Sequence, residues 1–143
     1  MALYFAGQLL TATIGRQLLT KAIVSSSSGI YGSVSSIYMY SKDINNILEE
    51  IDIRNKVKTI ESVCEILHDQ YLDNKVIDQA LEAIHDIILK IRYDLKSINK
   101  KLAKHQRKYF NGWRKLNIKS LIQDLRFHTG ILDKRYELLA NTI

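Results

Sequence analysis

Apolar residues recur at helical spacing along most of the chain, and the clearest segment covers residues 43–71. Its apolar positions alternate between spacings of four and three, which predicts an amphipathic helix; they are Ile53, Val57, Ile60, Cys64, Leu67 and Tyr71. Three apolar residues nearer its start fall out of phase with that stripe: Ile44, Leu48 and Ile51. Their offset predicts a bend or a wider apolar face near 51–54. Ser41 or Asp43 can cap the first turn.

Two further helices are predicted on either side of a turn. The helix over 74–110 carries the most regular stripe in the chain: Ile77, Ala80, Ile84, Ile87, Ile91, Ile98 and Leu102, with Leu95 beside it. Asn111-Gly112 can supply the left-handed residue that ends this helix. The helix over 117–140 has similar spacing, with a weak middle at Thr129-Gly130; its apolar residues are Ile118, Ile122, Leu125, Leu132, Tyr136 and Leu139.

The first 41 residues contain no Asp or Glu and form a fourth predicted helical segment. Its uncharged stretches are too short or too rich in Ser and Gly for an ordinary lipid-facing span, and no basic leader of a signal peptide precedes them. Small residues recur every four positions in two rows: Ser25, Gly29 and Ser33, then Ser28, Gly32 and Ser36. Such rows allow close approach of another helix. We therefore expect helix–helix contacts along a long helix that is kinked or broken around Ser25–Gly29.

Together the four segments predict an all-α protein, a single-domain antiparallel four-helix bundle over 1–143. Such a bundle is the simplest way to bury four apolar stripes. The chain has no Pro and only six Gly, which excludes the turn-rich strand folds. Its lone cysteine, Cys64, falls at a core spacing and cannot form an intrachain disulfide, so a reducing, intracellular compartment fits best.

The net charge of +6 is concentrated in one segment of the chain. Residues 42–94 are acidic overall, whereas 95–119 hold nine Lys or Arg and no acid. The nine cations are predicted to bind an anionic surface: Lys96, Lys100, Lys101, Lys104, Arg107, Lys108, Arg114, Lys115 and Lys119. Three aromatic residues lie among them and are predicted to sit at the interface: Tyr109, Phe110 and Trp113.

An anionic membrane explains this segment best, because Tyr and Trp favour the headgroup level and clustered cations are attracted to acidic lipids. An acidic protein partner, within a homo- or hetero-oligomer, would use the same surface. Nucleic acid is less favoured, since the sequence has no helix-turn-helix spacing and no base-reading aromatic pattern. The protein is then expected at a membrane, peripheral or partly inserted, or inside a larger assembly.

The sequence patterns that could indicate an enzymatic or metal site are weak. Glu65/His68 and Glu82/His85 both have the Glu-x-x-His spacing of di-iron bundles. Such a site needs a carboxylate from each remaining helix and inward-pointing ligands, and residues 1–41 have no acid. No nucleophile motif or phosphate loop is present either. We therefore expect no metal, no cofactor and no catalytic residue.

The sequence thus predicts a non-enzymatic helical bundle that docks on an anionic surface, most simply a membrane. One alternative is a structural subunit of a larger assembly such as a virus particle. A composition rich in Ile, Lys and Asn is typical of AT-rich genomes, those of large DNA viruses among them. Further alternatives are a nucleic-acid-binding protein and a membrane-permeabilising bundle. In layout only, an acid-free apolar start before a bundle with a basic surface resembles the four-helix executioner bundles of cell death.

Overall fold

The computed structural model describes residues 2–70, 74–108 and 118–143, with side chains for 15–70, 74–105 and 118–143. These ranges contain helices and no strand, so the all-α prediction is confirmed. There are five helices in them: α1 (Ala2–Tyr40), α2 (Lys42–Ile51), α3 (Ile53–Asp69), α4 (Lys75–Lys108) and α5 (Lys119–Thr142).

Helix α1 is continuous over 39 residues. Of the two alternatives predicted around Ser25–Gly29, a kink or a break, the break is therefore wrong. Within the Ser-rich stretch, the fully buried Ser27 satisfies its hydroxyl inside the helix: Ser27 Oγ donates to the Ile23 carbonyl oxygen at 2.8 Å. A buried polar side chain that satisfies itself in this way costs the helix little.

The bend predicted near 51–54 is present, as a break between α2 and α3. Asp52 adopts the left-handed conformation, with φ 62° and ψ 41°, and its backbone N–H donates to the carbonyls of Leu48 and Glu49. A left-handed residue that closes a helix in this way is a common helix ending. The start of α2 is capped by Ser41, whose Oγ accepts a hydrogen bond from the Ile44 N–H at 3.3 Å.

Polar contacts between helices give the directions in which they run. Arg16 on α1 pairs with Asp78 on α4, and the Ser33 carbonyl accepts from Asn99 further along both helices, so α1 and α4 are parallel. Thr20 lies against His68, near the end of α3, and Arg54, near the start of α3, donates to Ser35 further along α1, so α1 and α3 are antiparallel. Helix α5 is antiparallel to α4, since Arg135 Nη1 donates to the Ala83 carbonyl while His128 meets Asp94. The most extensive contacts are those of α4 with α1 and with α5.

The core consists mostly of isoleucine and leucine from all five helices. The predicted stripe of α3 is buried from Ile53 to Leu67, and Cys64 lies within it at 1% exposure. Helix α4 is buried on two adjacent faces because it packs between α1 and α5; Ile84, Ile87, Ile88 and Ile91 are all inaccessible to solvent. On α5 the Thr129 side chain occupies a core position, and its hydroxyl donates to the Leu125 carbonyl.

Candidate anionic-surface site

A groove at the surface of α4, bordered by α5, collects most of the predicted basic residues that the structure describes. Its volume is about 650 Å³, and mostly carbon atoms form its walls. We call it the lysine groove and define it by its lining residues: Tyr93, Lys96, Ser97, Lys100, Lys101, Lys104 and Leu121. Its four lysines are exposed, and the ammonium groups of Lys96, Lys100 and Lys104 can meet a ligand while their methylene stems cover apolar surface.

The lysines share this face because of the period of α4. Leu95, Ile98 and Leu102 are buried against the neighbouring helices, which turns Lys96, Lys100 and Lys104, spaced four apart, towards solvent. Helix α5 runs antiparallel to α4, and this direction brings Leu121, near its start, beside the later turns of α4. The groove therefore follows from the two helices' register.

The structure brings together four of the nine predicted cations: Lys96, Lys100, Lys101 and Lys104. Lys119 is exposed at the first position of α5. Arg107 and Lys108 belong to α4, but their side chains lie outside the described residues. The remaining predicted site residues lie wholly outside them, and these are Tyr109, Phe110, Trp113, Arg114 and Lys115.

Three groove residues were not predicted from the sequence, and these are Tyr93, Ser97 and Leu121. Tyr93 is 71% exposed and lies one turn before Lys96. Its position on the ridge of Lys96 and Lys100 could have been recognised from the spacing alone. Leu121 reaches the groove from another helix, and nothing local to α5 indicates this contact.

The small-residue rows on α1 behave unequally. A Cβ added to Gly29 would lie 2.7 Å from Arg92 Nε on α4, and the Ser33 carbonyl accepts from Asn99 Nδ2 at 2.9 Å. This row therefore faces α4, although Ser25 at its start is exposed. In the second row Ser36 is half-buried, while Ser28 is exposed and Gly32 has open space around it, so those two make no close contact with another of the described helices.

A carboxylate–imidazole pair lies close to the lysine groove. Asp94 follows the groove residue Tyr93 in sequence but is buried, and its Oδ2 lies 2.5 Å from His128 Nδ1 on α5. Burial raises the pKa of Asp94; the hydrogen bond and charge of His128 oppose the rise, and the charge of Asp124 adds to it. This contact could not be predicted from a local pattern around His128, since the two residues are 34 positions apart.

The two Glu-x-x-His motifs, Glu65/His68 and Glu82/His85, lie in different surroundings. His68 Nδ1 lies 2.8 Å from the Thr20 hydroxyl, beside a cleft of about 770 Å³ between α1 and α3 that Glu65 also lines. Glu82 is exposed and His85 half-buried on α4. Among the described residues, no three His, Cys, Asp or Glu side chains are grouped as metal ligands. The cleft also reaches Cys64, where burial, with Glu61 and Glu65, raises the thiol pKa to about 12.

Over the described ranges, no helix combines the length and the apolarity that crossing a bilayer requires.

No protein-family model matches the sequence. No solved structure matches the chain. The chain is similar to an uncharacterised protein of Acanthamoeba polyphaga mimivirus, with 29% identity over 161 aligned positions, which cover 85% of this chain and 77% of that protein. The protein is thus similar, along most of its length, to a protein of a large DNA virus.

Proposed function

We propose that this protein is a non-enzymatic helical bundle that docks on an anionic membrane surface through the lysine groove. In this proposal the chain is one domain, and α2 and α3 together form one arm of an antiparallel four-helix bundle with α1, α4 and α5. The arrangement that supports it is antiparallel packing of α1 with α3 and of α4 with α5.

The observation that carries the proposal is the set of residues that line the groove together with its four lysines. They line one groove with the exposed Tyr93, and no described residue lining it is a carboxylate. Lysines near an acidic lipid surface contribute about 1 kcal/mol each, and a tyrosine ring favours the headgroup level. The three lysines of one ridge, Lys96, Lys100 and Lys104, supply on the order of 3 kcal/mol, which is enough for reversible attachment and far less than an inserted helix provides.

Vesicle co-sedimentation tests the proposal. We compare the wild type with a Lys96→Gln/Lys100→Gln/Lys104→Gln variant on vesicles of neutral lipid alone and of neutral lipid mixed with phosphatidylserine. A matched control, Lys42→Gln/Lys58→Gln/Lys134→Gln, removes the same charge from three exposed lysines elsewhere. We expect the groove variant to bind the acidic vesicles about 100-fold more weakly, since three lysines are lost, and the control to lose much less.

The results also decide between this proposal and its alternatives. Binding that grows with the phosphatidylserine content and weakens with added salt supports the membrane proposal, because salt screens exposed charges. Equal loss of binding in the groove variant and the control contradicts a dedicated surface. Binding of duplex DNA without binding of lipid favours a nucleic-acid-binding protein. Leakage of a trapped dye adds permeabilisation to docking.

A second candidate is a structural subunit of a viral assembly. The observation that favours it is the similarity to a mimivirus protein over 85% of this chain. In that case the lysine groove would receive an acidic surface of a neighbouring subunit. Copurification of the chain with particles of a producing virus, in a fixed ratio to the major capsid protein, is the expected result for this candidate.

A further inference from the structure

We propose that the lysine groove binds one molecule of a single-chain lipid with a phosphate head, the head at the lysines and the acyl chain along the apolar wall. The inference rests on the proposed function, because both place an anionic lipid on the same lysines. It goes further in naming a saturable site for an individual lipid molecule, where docking alone needs only a charged surface.

The size and walls of the groove suit such a ligand. Its volume of about 650 Å³ lies within the range of roughly 300–1,000 Å³ that is usual for small-molecule sites. The walls are mostly apolar, with Tyr93 on α4 and Leu121 on α5. A site that only neutralised charge would have no use for this apolar wall, and an acyl chain laid along it would be removed from water.

The charges of the groove suit a phosphate head. Lys96, Lys100 and Lys104 follow one ridge of α4, with Lys101 beside them. Lysine binds phosphate as a mobile point charge, and neighbours four apart lie on adjacent turns, close enough to share one head. The acid nearest in sequence, Asp94, is buried and directed towards His128, so it does not line the groove.

The combination of lysines with an apolar wall disfavours anions that lack an apolar part. Inorganic phosphate would use the ammonium groups and leave the apolar wall exposed to water. Nucleic acid would contact the outer ridge of lysines, but its phosphate backbone has nothing to bury against Leu121. An acyl phosphate uses both features at once, and this dual use is what the test must measure.

The test is isothermal titration of the full chain with lysophosphatidic acid below its micelle concentration. Inorganic phosphate and a monoacylglycerol of the same chain length serve as probes of the head and the chain alone. We expect saturation at one lipid per protein, and binding of each partial probe at least about tenfold weaker, equivalent to losing about two buried methylene groups. Equal affinity for inorganic phosphate, or no saturation, would overturn the inference.

Two variants separate the groove from the charged surface. Leu121→Trp fills the groove and keeps every lysine, while Leu138→Trp places the same ring at a residue of α5 that is 66% exposed. We expect Leu121→Trp to weaken lysophosphatidic acid binding about tenfold or more, and Leu138→Trp to leave both this binding and vesicle binding unchanged. Wild-type lipid affinity in Leu121→Trp would overturn the inference.

A third variant guards against a folding defect at Leu121. Tyr93→Ser removes the aromatic ring from the groove wall, and this side chain contributes little to the core because it is 71% exposed. It should weaken lipid binding in the same direction as Leu121→Trp, and normal affinity would count against the site. If the single lipid fails to bind while acidic vesicles still bind through the lysines, this inference fails and the proposed function stands. If neither binds, both fail.

Discussion

His128 Nδ1 lies 2.5 Å from Asp94 Oδ2 across the interface of α4 and α5. The side chains are 21% and 6% exposed, so this ionisable contact sits at the edge of an apolar core. Burial penalises the charged carboxylate and raises the pKa of Asp94 in spite of the nearby imidazole. The pair therefore joins the two helices, but it holds the Asp94 carboxyl group where burial destabilises its charged form.

The first prediction is that ionisation of Asp94 destabilises the fold. Because the pKa of Asp94 is higher in the folded protein, the folded state holds its proton to higher pH than the unfolded chain does. Its contribution to the free energy of unfolding then falls as pH rises from about 3.9 towards the folded pKa. Urea unfolding at several pH values should show Asp94→Asn gaining stability relative to the wild type over this interval.

The control for this prediction is Glu137→Gln, the same change of charge at an exposed position of α5. Its stability should follow that of the wild type with pH. If the wild type instead gains stability relative to Asp94→Asn as pH rises, attraction to His128 outweighs the cost of burying the charge, contrary to the prediction.

The second prediction concerns the ion pair between Arg16 and Asp78, which joins α1 to α4 at 2.8 Å. The side chains are unequally exposed, 4% for Arg16 and 31% for Asp78. Asp78→Ala leaves a buried guanidinium without its carboxylate, a loss of about 3–5 kcal/mol. Arg16→Met leaves a carboxylate that water can reach, so its loss should be smaller.

Urea unfolding of both single variants and of the double variant measures the asymmetry. The double variant should be more stable than Asp78→Ala alone, because the unpaired buried charge has been removed. Equal losses for the two single variants would show that the exposure of the partner does not matter here, against the prediction.

The fold could be predicted from sequence wherever spacing alone decides burial. Helix α3 is the clearest example, since Ile53 to Leu67 keep one heptad stripe and that stripe is buried. On α1 the buried residues Ile23, Ile30 and Ile37 are also seven apart, but Ser27 occupies a core position between them. The sequence around Ser27 therefore looks like a polar segment, because the sequence does not show that the Ser27 hydroxyl bonds to its own helix.

The site was predictable only within one helix. The lysine ridge of Lys96, Lys100 and Lys104 follows from the period of α4, and the structure keeps these residues on one groove. The other wall, Leu121, and the Asp94–His128 contact depend on how α5 aligns with α4. That alignment comes from the packing of many side chains, and no local pattern encodes it.

The third prediction concerns the break between α2 and α3, where Asp52 has φ 62°. A left-handed conformation costs most L-residues about 1–2 kcal/mol, glycine escapes this cost, and Asp tolerates it. Asp52→Ala should therefore lower the free energy of unfolding by about 1 kcal/mol, whereas Asp52→Gly should be neutral or stabilising. Thermal unfolding of both variants checks the order.

The matched control is Asn46, an exposed residue inside α2. There the order should reverse, since glycine in a helix interior is about 1 kcal/mol less favourable than alanine. If alanine is preferred at both positions, the left-handed residue does not determine the break.

The last prediction uses two glycines three residues apart on α1. Gly32 has no heavy atom near the position of an added Cβ, while at Gly29 that atom would lie 2.7 Å from Arg92 Nε. Gly32→Ala should stabilise the protein by about 0.5–1 kcal/mol, because alanine favours a helix. Gly29→Ala should lose that gain and become destabilising, by about 1 kcal/mol or more, since the half-buried Arg92 must move.

A double-mutant cycle identifies the cause. In an Arg92→Ala background the clash is gone, so Gly29→Ala should stabilise by about as much as Gly32→Ala does in the wild type. The free energy of unfolding of the four proteins, from urea titrations, gives the coupling between the two positions. Zero coupling would mean that α1 and α4 do not approach closely at Gly29. Strong coupling, with none between Gly32 and Arg92, would locate the close contact of these parallel helices on the row of Gly29 and Ser33, with Gly32 outside it.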